Sequence, residues 1–297
     1  MARVLVSLLS DEQEFQVMQA QDARTSGARL GLDVDVAFAE GHAVVQIQQL
    51  FKAIHAPEGE RPAALVVEPA TGEGLERVAR NAVRVGIGWM LVNTRPGYLE
   101  ELRESHPELP IGVVSTDQVE IGRIQGRQCR ALRPEGGRIL SVQGPADSTV
   151  THERSEGMKE VLGDGYELRT LNGFWTAASG DKAVMSWLRL KTAETFQPDI
   201  VAVHNDAMAV GARKALTTHR HDWANVPFLG CDGLPEGGQR LVADGSFAAT
   251  VVSPSNTGPC LELIAKWKSF GERPPREVIL RPASHPPLAQ LRPWPRS

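Results

Sequence analysis

Two polar groups stand directly behind apolar runs in the second half of the sequence. Ile200-Val201-Ala202-Val203 is followed by His204-Asn205-Asp206, with Met208, Val210, Ala212 and Leu216 then at helical spacing. Val226-Pro227-Phe228-Leu229-Gly230 stops at Cys231-Asp232-Gly233. Each pattern predicts a buried strand emptying into a polar turn, and the first continues into a helix. In an open parallel sheet, side chains just past the carboxyl ends of neighbouring strands line one crevice. Asn205, Asp206 and Asp232 are therefore expected to face a common small ligand, with Asp206 capping the helix that follows and Asn205 free to bond the guest.

Chemistry of a catalytic kind has less support. Cys231 follows a strand and lies between Gly230 and Gly233, yet G-x-S-x-G is not matched and no base is placed to orient a nucleophile. His219-Arg220-His221 would point its two imidazoles to opposite sides if extended, with no third metal ligand nearby. Gly72-Glu73-Gly74 lacks the third glycine of a dinucleotide fingerprint and reads as a turn opening a helix. Asp11, Glu12 and Glu14 open the first helix, where negative charge complements the helix dipole. No catalytic residue, metal or cofactor is expected.

The elements that must position these groups follow from the rest of the chain. Its 297 residues suit two domains of ordinary size. Charged residues are 23% and the net charge is -4, so the basic field that holds nucleic acid is missing and no nucleic-acid partner is expected. Cys129, Cys231 and Cys260 are widely spaced and form no C-x-x-C pair, which argues for buried small side chains rather than a disulfide framework or zinc site. No run reaches the ~20 apolar residues of a membrane helix. The first strand begins at Val4, leaving no room for a leader ahead of it. The chain is therefore either cytoplasmic or a mature form whose export signal has been removed.

Apolar runs predict strands at 4–9, 32–38, 63–67, 88–92, 111–114, 138–142, 166–171, 200–203, 227–230 and 248–252. Helical patterns fall between them at 15–30, 43–54, 74–85, 118–132, 151–162 and 182–192, with a long one at 258–270 and a short polar helix within an insertion at 95–110. Such alternation means parallel α/β sheets covered by helices on both faces, and about ten units fit two doubly wound lobes better than one. The expected lobes are 1–115 with 255–276, and 116–254 with 277–297. Proline crowds the tail from Arg273, so only 277–280 is expected to form a strand there.

Four stretches also occur together in a recognisable order: Val114-Ser115-Thr116-Asp117-Gln118-Val119-Glu120-Ile121-Gly122; Gln143-Gly144 with His152-Glu153-Arg154-Ser155-Glu156-Gly157-Met158; His204-Asn205-Asp206-Ala207-Met208-Ala209; and Gly230-Cys231-Asp232-Gly233 with 244–251 behind it. Across nearly the whole chain the sequence resembles the type I periplasmic binding protein family, in particular its ribose and related sugar-binding members, whose fold is shared by lactose-repressor-family effector domains. The resemblance implies two α/β lobes joined by three crossing segments, with a small polar ligand in the cleft between them. Carried over by position, Arg154 matches the cleft arginine, Asn205 the asparagine after the strand and Asp232 the ligand aspartate. Gln13 and Phe15 match an asparagine and a stacking aromatic of the first lobe, and Phe174-Trp175 lies near the second-lobe aromatic. The sequence departs from the pattern in three places: Asn93-Thr94-Arg95 replaces an Asp-Arg pair, Gln16 replaces one of two first-lobe aromatics, and Ser253 replaces a glutamine.

A sugar offers vicinal hydroxyls and a weakly apolar face. It calls for planar groups that bond two hydroxyls at once, which Arg154, Asp232, Asn93 and Asn205 would supply, and for an aromatic wall of Phe15 and Trp175, or Phe174 in its place. The implied function is non-enzymatic capture of a monosaccharide or small polyol by a monomeric protein serving an ABC-type importer, with a membrane permease or sensor as partner. Two alternatives stand beside it. An effector-sensing regulator of the repressor type would need a DNA-reading headpiece of roughly 60 residues, absent before Val4. A sugar-metabolising enzyme on an α/β fold is the other, since fold does not fix function.

Overall fold

The computed structural model describes residues 1–70 and 74–295, so Gly72 and Glu73 of the expected glycine turn lie outside the described residues. In chain order the elements are β1 (Ala2–Leu8), α1 (Glu14–Leu30), β2 (Leu32–Phe38), α2 (Ala43–Ile54), β3 (Ala64–Val67), α3 (Leu75–Arg84), β4 (Gly88–Val92), α4 (Leu99–Ser105) and β5 (Ile111–Thr116). Then come α5 (Gln118–Leu132), β6 (Gly137–Gln143), α6 (Thr149–Leu162), β7 (Tyr166–Asn172), α7 (Ala177–Leu188), α8 (Lys191–Thr195), β8 (Ile200–Val203) and α9 (Asp206–His219). The last are β9 (Phe228–Leu229), α10 (Arg240–Ala243), β10 (Thr250–Val252), α11 (Thr257–Phe270), β11 (Glu277–Leu280) and β12 (Ala283–His285). No helix among the described residues is long and apolar enough to cross a membrane.

The chain forms two compact units, the first Met1–Thr116 with Ser255–Leu280, the second Asp117–Pro254 with the chain from Arg281 onward. Unit 1 is built on a six-stranded, all-parallel sheet in the order β11-β5-β4-β3-β1-β2. Its central strands are apolar on both faces because helices cover both, as parallel sheets require. Val4, Val6, Ala64, Val66, Met90 and Val92 face α1 and α11 through Ala20, Ala23, Leu261 and Ile264. Leu65, Val67, Trp89 and Leu91 pack on the other side against α2, α3 and α4.

Unit 2 repeats the plan with β7-β6-β8-β9, all parallel, continued by single bridges from Leu229 to Ala249 and Asp232 to Val252. Leu140, Val142, Val201 and Val203 pack toward α7 and α9, while Ile139, Ile200 and Ala202 pack toward α5 and α6. α5 and α6 cross closely: a side chain at Gly122 would strike the Arg154 backbone, and one at Gly157 the Val119 backbone.

Three expectations change. The strand Glu277–Leu280, expected with the second lobe, pairs in parallel with β5 from Glu277↔Val113 to Leu280↔Thr116 and places Val278 and Leu280 against the unit 1 core. The proline-rich tail holds a second strand, β12, because only Ala283–His285 needs to reach β10 and the prolines fall outside that pairing. Finally, α7 starts at Ala177 rather than near Lys182, because Thr176 and Ser179 form a reciprocal capping box.

Candidate ligand-binding site

Both sheets have the strand order in which the chain leaves a central strand toward opposite edges, and ligands of open α/β sheets bind past the carboxyl ends at that switch point. In unit 1 the switch lies between β1 and β3, and in unit 2 between β6 and β8. Each holds a concentration of buried polar side chains.

In unit 2 the centre is Arg154, only 6% exposed, on α6. Its Nε donates to Gln118 Oε1 at 2.8 Å and its Nη1 to the His204 carbonyl, and its guanidinium lies 5.7 Å from the Trp175 ring centre. The close α5–α6 crossing brings Gln118, the first residue of α5, within reach. Trp175 rests on the backbone of Gly144, just past β6, where a Cβ would overlap its ring and crowd the Thr151 hydroxyl. Phe174, the alternative wall, is 69% exposed.

His204, past β8, is buried and neutral. Its Nδ1 accepts the Gly144 N–H at 3.5 Å, so a proton added there would set donor against donor. Burial, and secondarily the Arg154 charge, lower its pKa from 6.5 to about 3.

The cap of α9 falls to Asn205 and not to Asp206. Asn205 caps α9, its Oδ1 accepting the Met208 N–H at 3.0 Å, and its Nδ2 donates to the Trp175 carbonyl at 2.9 Å. Asp206 is the lock: Oδ2 accepts the Gly233 N–H at 2.7 Å and Oδ1 the Thr250 hydroxyl at 2.8 Å. A residue at the N-cap has non-helical φ and ψ and can turn its side chain back onto the helix, which the next residue, already helical, cannot do. Asp232 is half-buried, and its backbone is held by Val251 and Ser253 through hydrogen bonds of 3.0 Å each. Burial, the largest influence, pushes the Cys231 thiol up to about 12, with the Arg154 charge lowering it and the Asp232 charge raising it.

In unit 1 the centre is Glu68, directly past β3 and 8% exposed. Gln16 Nε2 and Gln19 Nε2 donate to its Oε2 at 3.1 and 2.6 Å, and Asn93 Nδ2 donates to its Oε1 at 3.0 Å. Gln46 holds the Glu68 carbonyl at 2.7 Å. Asn93 Oδ1 accepts from Asn256 Nδ2 at 2.8 Å, and Asn256 Oδ1 accepts the Thr116 hydroxyl at 3.2 Å. Gln13 occupies the N-cap position of α1 without a side-chain capping bond, and Phe15 is half-buried beside it. Of the expected first-lobe residues, only Asn93 belongs to the polar cluster.

Backbone strain marks the same residues. Among the described non-glycine residues with positive φ are Asn93 (61°), Trp175 (65°) and Asp232 (97°), and the only other is Glu40 (53°). Such conformations cost about 1–3 kcal/mol each and gather where side chains must be aimed.

Glu68, Gln19, Asn256, Gln118 and His204 are the polar groups that sequence reasoning left out. The rule that selects Asn205 and Asp232 also selects Glu68, the first polar residue behind the buried run Ala64–Val67. Gln118 and Asn256 carry no comparable local signal.

The sequence matches the periplasmic binding protein domain over residues 4–257, and the chain belongs to that family. Among curated relatives, a ribose import binding protein of Salmonella typhimurium is 32% identical over 140 residues, 46% of this chain and 45% of the relative, so the alignment spans less than half of that protein. A galactofuranose-binding protein of Escherichia coli is 20% identical over 93% of this chain and 85% of the relative. Among solved structures, a Caulobacter myo-inositol binding protein bound to myo-inositol superposes with a TM-score of 0.81 at 22% identity, covering 95% of this chain and 92% of that one. A solute binding protein of Mycobacterium smegmatis with bound glycerol gives 0.81 at 22% identity, covering 100% and 98%. These structures share the fold, two doubly wound parallel-sheet units.

Proposed function

We propose that the protein captures a monosaccharide or similar small polyol and delivers it to an ABC-type importer, through a membrane permease or sensor. The observation that carries the reading is the Arg154–Trp175 pair at the switch point of unit 2, with Asp232 in a left-handed backbone past β9 of the same sheet. Arg154 spends Nε and Nη1 on the protein, and Nη2 remains to donate to a hydroxyl. Asp232 accepts from a second hydroxyl, Asn205 adds its remaining amide hydrogen, and the Trp175 ring covers the C–H face of the guest.

From unit 1, Asn93, Gln13 and Phe15 complete the set. Hydrogen bonds to charged groups contribute about 1.5–3 kcal/mol each, whereas moving a two-state equilibrium from 1:99 to 99:1 takes about 5.5 kcal/mol. Tight capture of a ligand therefore draws on several residues. The names of the relatives, which specify ribose, galactofuranose and myo-inositol, support the ligand class. The proposed place of work is the periplasm if an export signal has been removed and the cytoplasm otherwise, and the proposed state is a monomer. The buried, protonated Cys231 thiol supports capture without turnover.

The test is a thermal-shift and calorimetric screen against pentoses, hexoses, inositols and linear polyols. A ligand at 100 times its Kd raises stability by about 2.7 kcal/mol. Arg154→Ala and Asp232→Ala are each expected to weaken binding by a factor of about 10 or more. A flat screen, or wild-type affinity in both variants, overturns the proposal.

A further inference from the structure

The unit 1 cluster contains a chain of reversible groups. Gln16 and Gln19 are fixed at both ends, because their nitrogens meet Glu68 while their oxygens accept backbone N–H groups, from Leu9 at 3.2 Å and Asn256 at 3.1 Å. Asn93 and Asn256 differ. The Asn93 oxygen meets the Asn256 amide nitrogen, and the Asn256 oxygen meets the Thr116 hydroxyl, which can donate or accept. Turning both amides over would preserve those two bonds with donor and acceptor exchanged. What forbids the reversal is the other end, where the Asn93 nitrogen faces a carboxylate that only accepts.

We infer that Glu68 is the positioning residue that sets the direction of the Asn93–Asn256–Thr116 chain and, through Asn93, the donor and acceptor pattern offered to the ligand's hydroxyls. This rests on the proposed function. It assigns selectivity among hydroxyl arrangements to a side chain that need not touch the guest. The Asn93 backbone N–H is tied to the Val114 carbonyl at 3.1 Å, so the amide orientation is the freedom that Glu68 removes.

Glu68→Gln keeps the shape but can donate as well as accept, which lets the chain run either way. Binding of D-ribose, D-xylose, L-arabinose and myo-inositol is measured for wild type, Glu68→Gln, Asn93→Ala and the double variant. The expected result is a loss of tenfold or more for the tightest of these ligands in Glu68→Gln, with a narrowed spread among the four, and no further loss when the substitution is made in Asn93→Ala. Unchanged affinity and ranking, or an equal loss in the Asn93→Ala background, overturns the inference and leaves the capture function standing.

If none of the four binds wild type, the capture reading fails for these ligands and the inference is decided by side-chain amide NMR. The Asn256 NH2 signals, whose partner is the Asn93 oxygen in the observed direction of the chain and the Thr116 hydroxyl in the reversed one, are expected as one set in wild type and as two or exchange-broadened sets in Glu68→Gln. One unaltered set in both refutes it.

Discussion

His204 ties the stability of unit 2 to pH in a way that can be worked out from its surroundings. The imidazole is 1% exposed, its Nδ1 is committed to accepting the Gly144 N–H, and the Arg154 guanidinium bonds its carbonyl. Its proton affinity is ordinary in the unfolded chain, near pH 6.5, and falls to about 3 in the folded one. Between those values the unfolded chain holds more protons, so stability rises with pH: the full value is reached above 6.5 and is lost as pH falls toward 3. From RT ln[(1 + 10^(6.5−pH))/(1 + 10^(3−pH))], the loss is about 0.2 kcal/mol at pH 7 and about 2 kcal/mol at pH 5.

His204→Asn keeps an acceptor for the Gly144 N–H and removes the titration. Urea unfolding of both proteins from pH 7.5 to 4.5 is the assay, because the other ionisable groups are common to both and cancel in the difference. Wild type is expected to lose about 2 kcal/mol more than the variant between pH 7 and 5. Parallel stability curves would refute the reasoning, since they would mean that the native state accommodates the imidazolium beside Arg154.

Two further substitutions test how the site is held. Gly144→Ala places a methyl where the Trp175 ring and the Thr151 hydroxyl already are, so it is expected to lower stability by about 1–3 kcal/mol and to weaken polyol binding at least tenfold; unchanged affinity by calorimetry would show that Trp175 is no part of the wall. Asp206→Ala strips the Gly233 N–H and the Thr250 hydroxyl of a buried carboxylate, and a loss of about 2–4 kcal/mol is expected by thermal unfolding. An unshifted Tm would contradict its role as the lock on the Asp232 turn.

Much of the architecture was legible because parallel sheets announce themselves: Ala64–Val67 and Ile200–Val203 are buried without exception, and only a strand covered on both faces can be apolar throughout. The polar positions behind such runs followed from the same rule. The cap falls to Asn205 and not to Asp206 because either side chain can cap, and the choice depends on whether the helix begins at one or the next. The placement of Glu277–Leu280 was hidden because its partner, β5, lies more than 160 residues earlier and pairing leaves no local trace. Gln118 was unreadable for a related reason: only the close crossing at Gly122 and Gly157 carries it to Arg154.

The return of α11 and β11 to the first sheet has a consequence for how the chain comes to be folded. A growing polypeptide that has been made only as far as Thr116 lacks the helix that covers Val4, Val66 and Met90 and the strand that borders β5. Such an intermediate presents a bare greasy surface and an open hydrogen-bonding edge, both invitations to self-association. Unit 2 has nearly all its elements by Pro254, so it can collapse while the earlier-made half still waits for its last two pieces. Order of synthesis and order of maturation thus run in opposite directions, and a fragment ending at Thr116 is expected to aggregate where one spanning 117–254 stays dispersed.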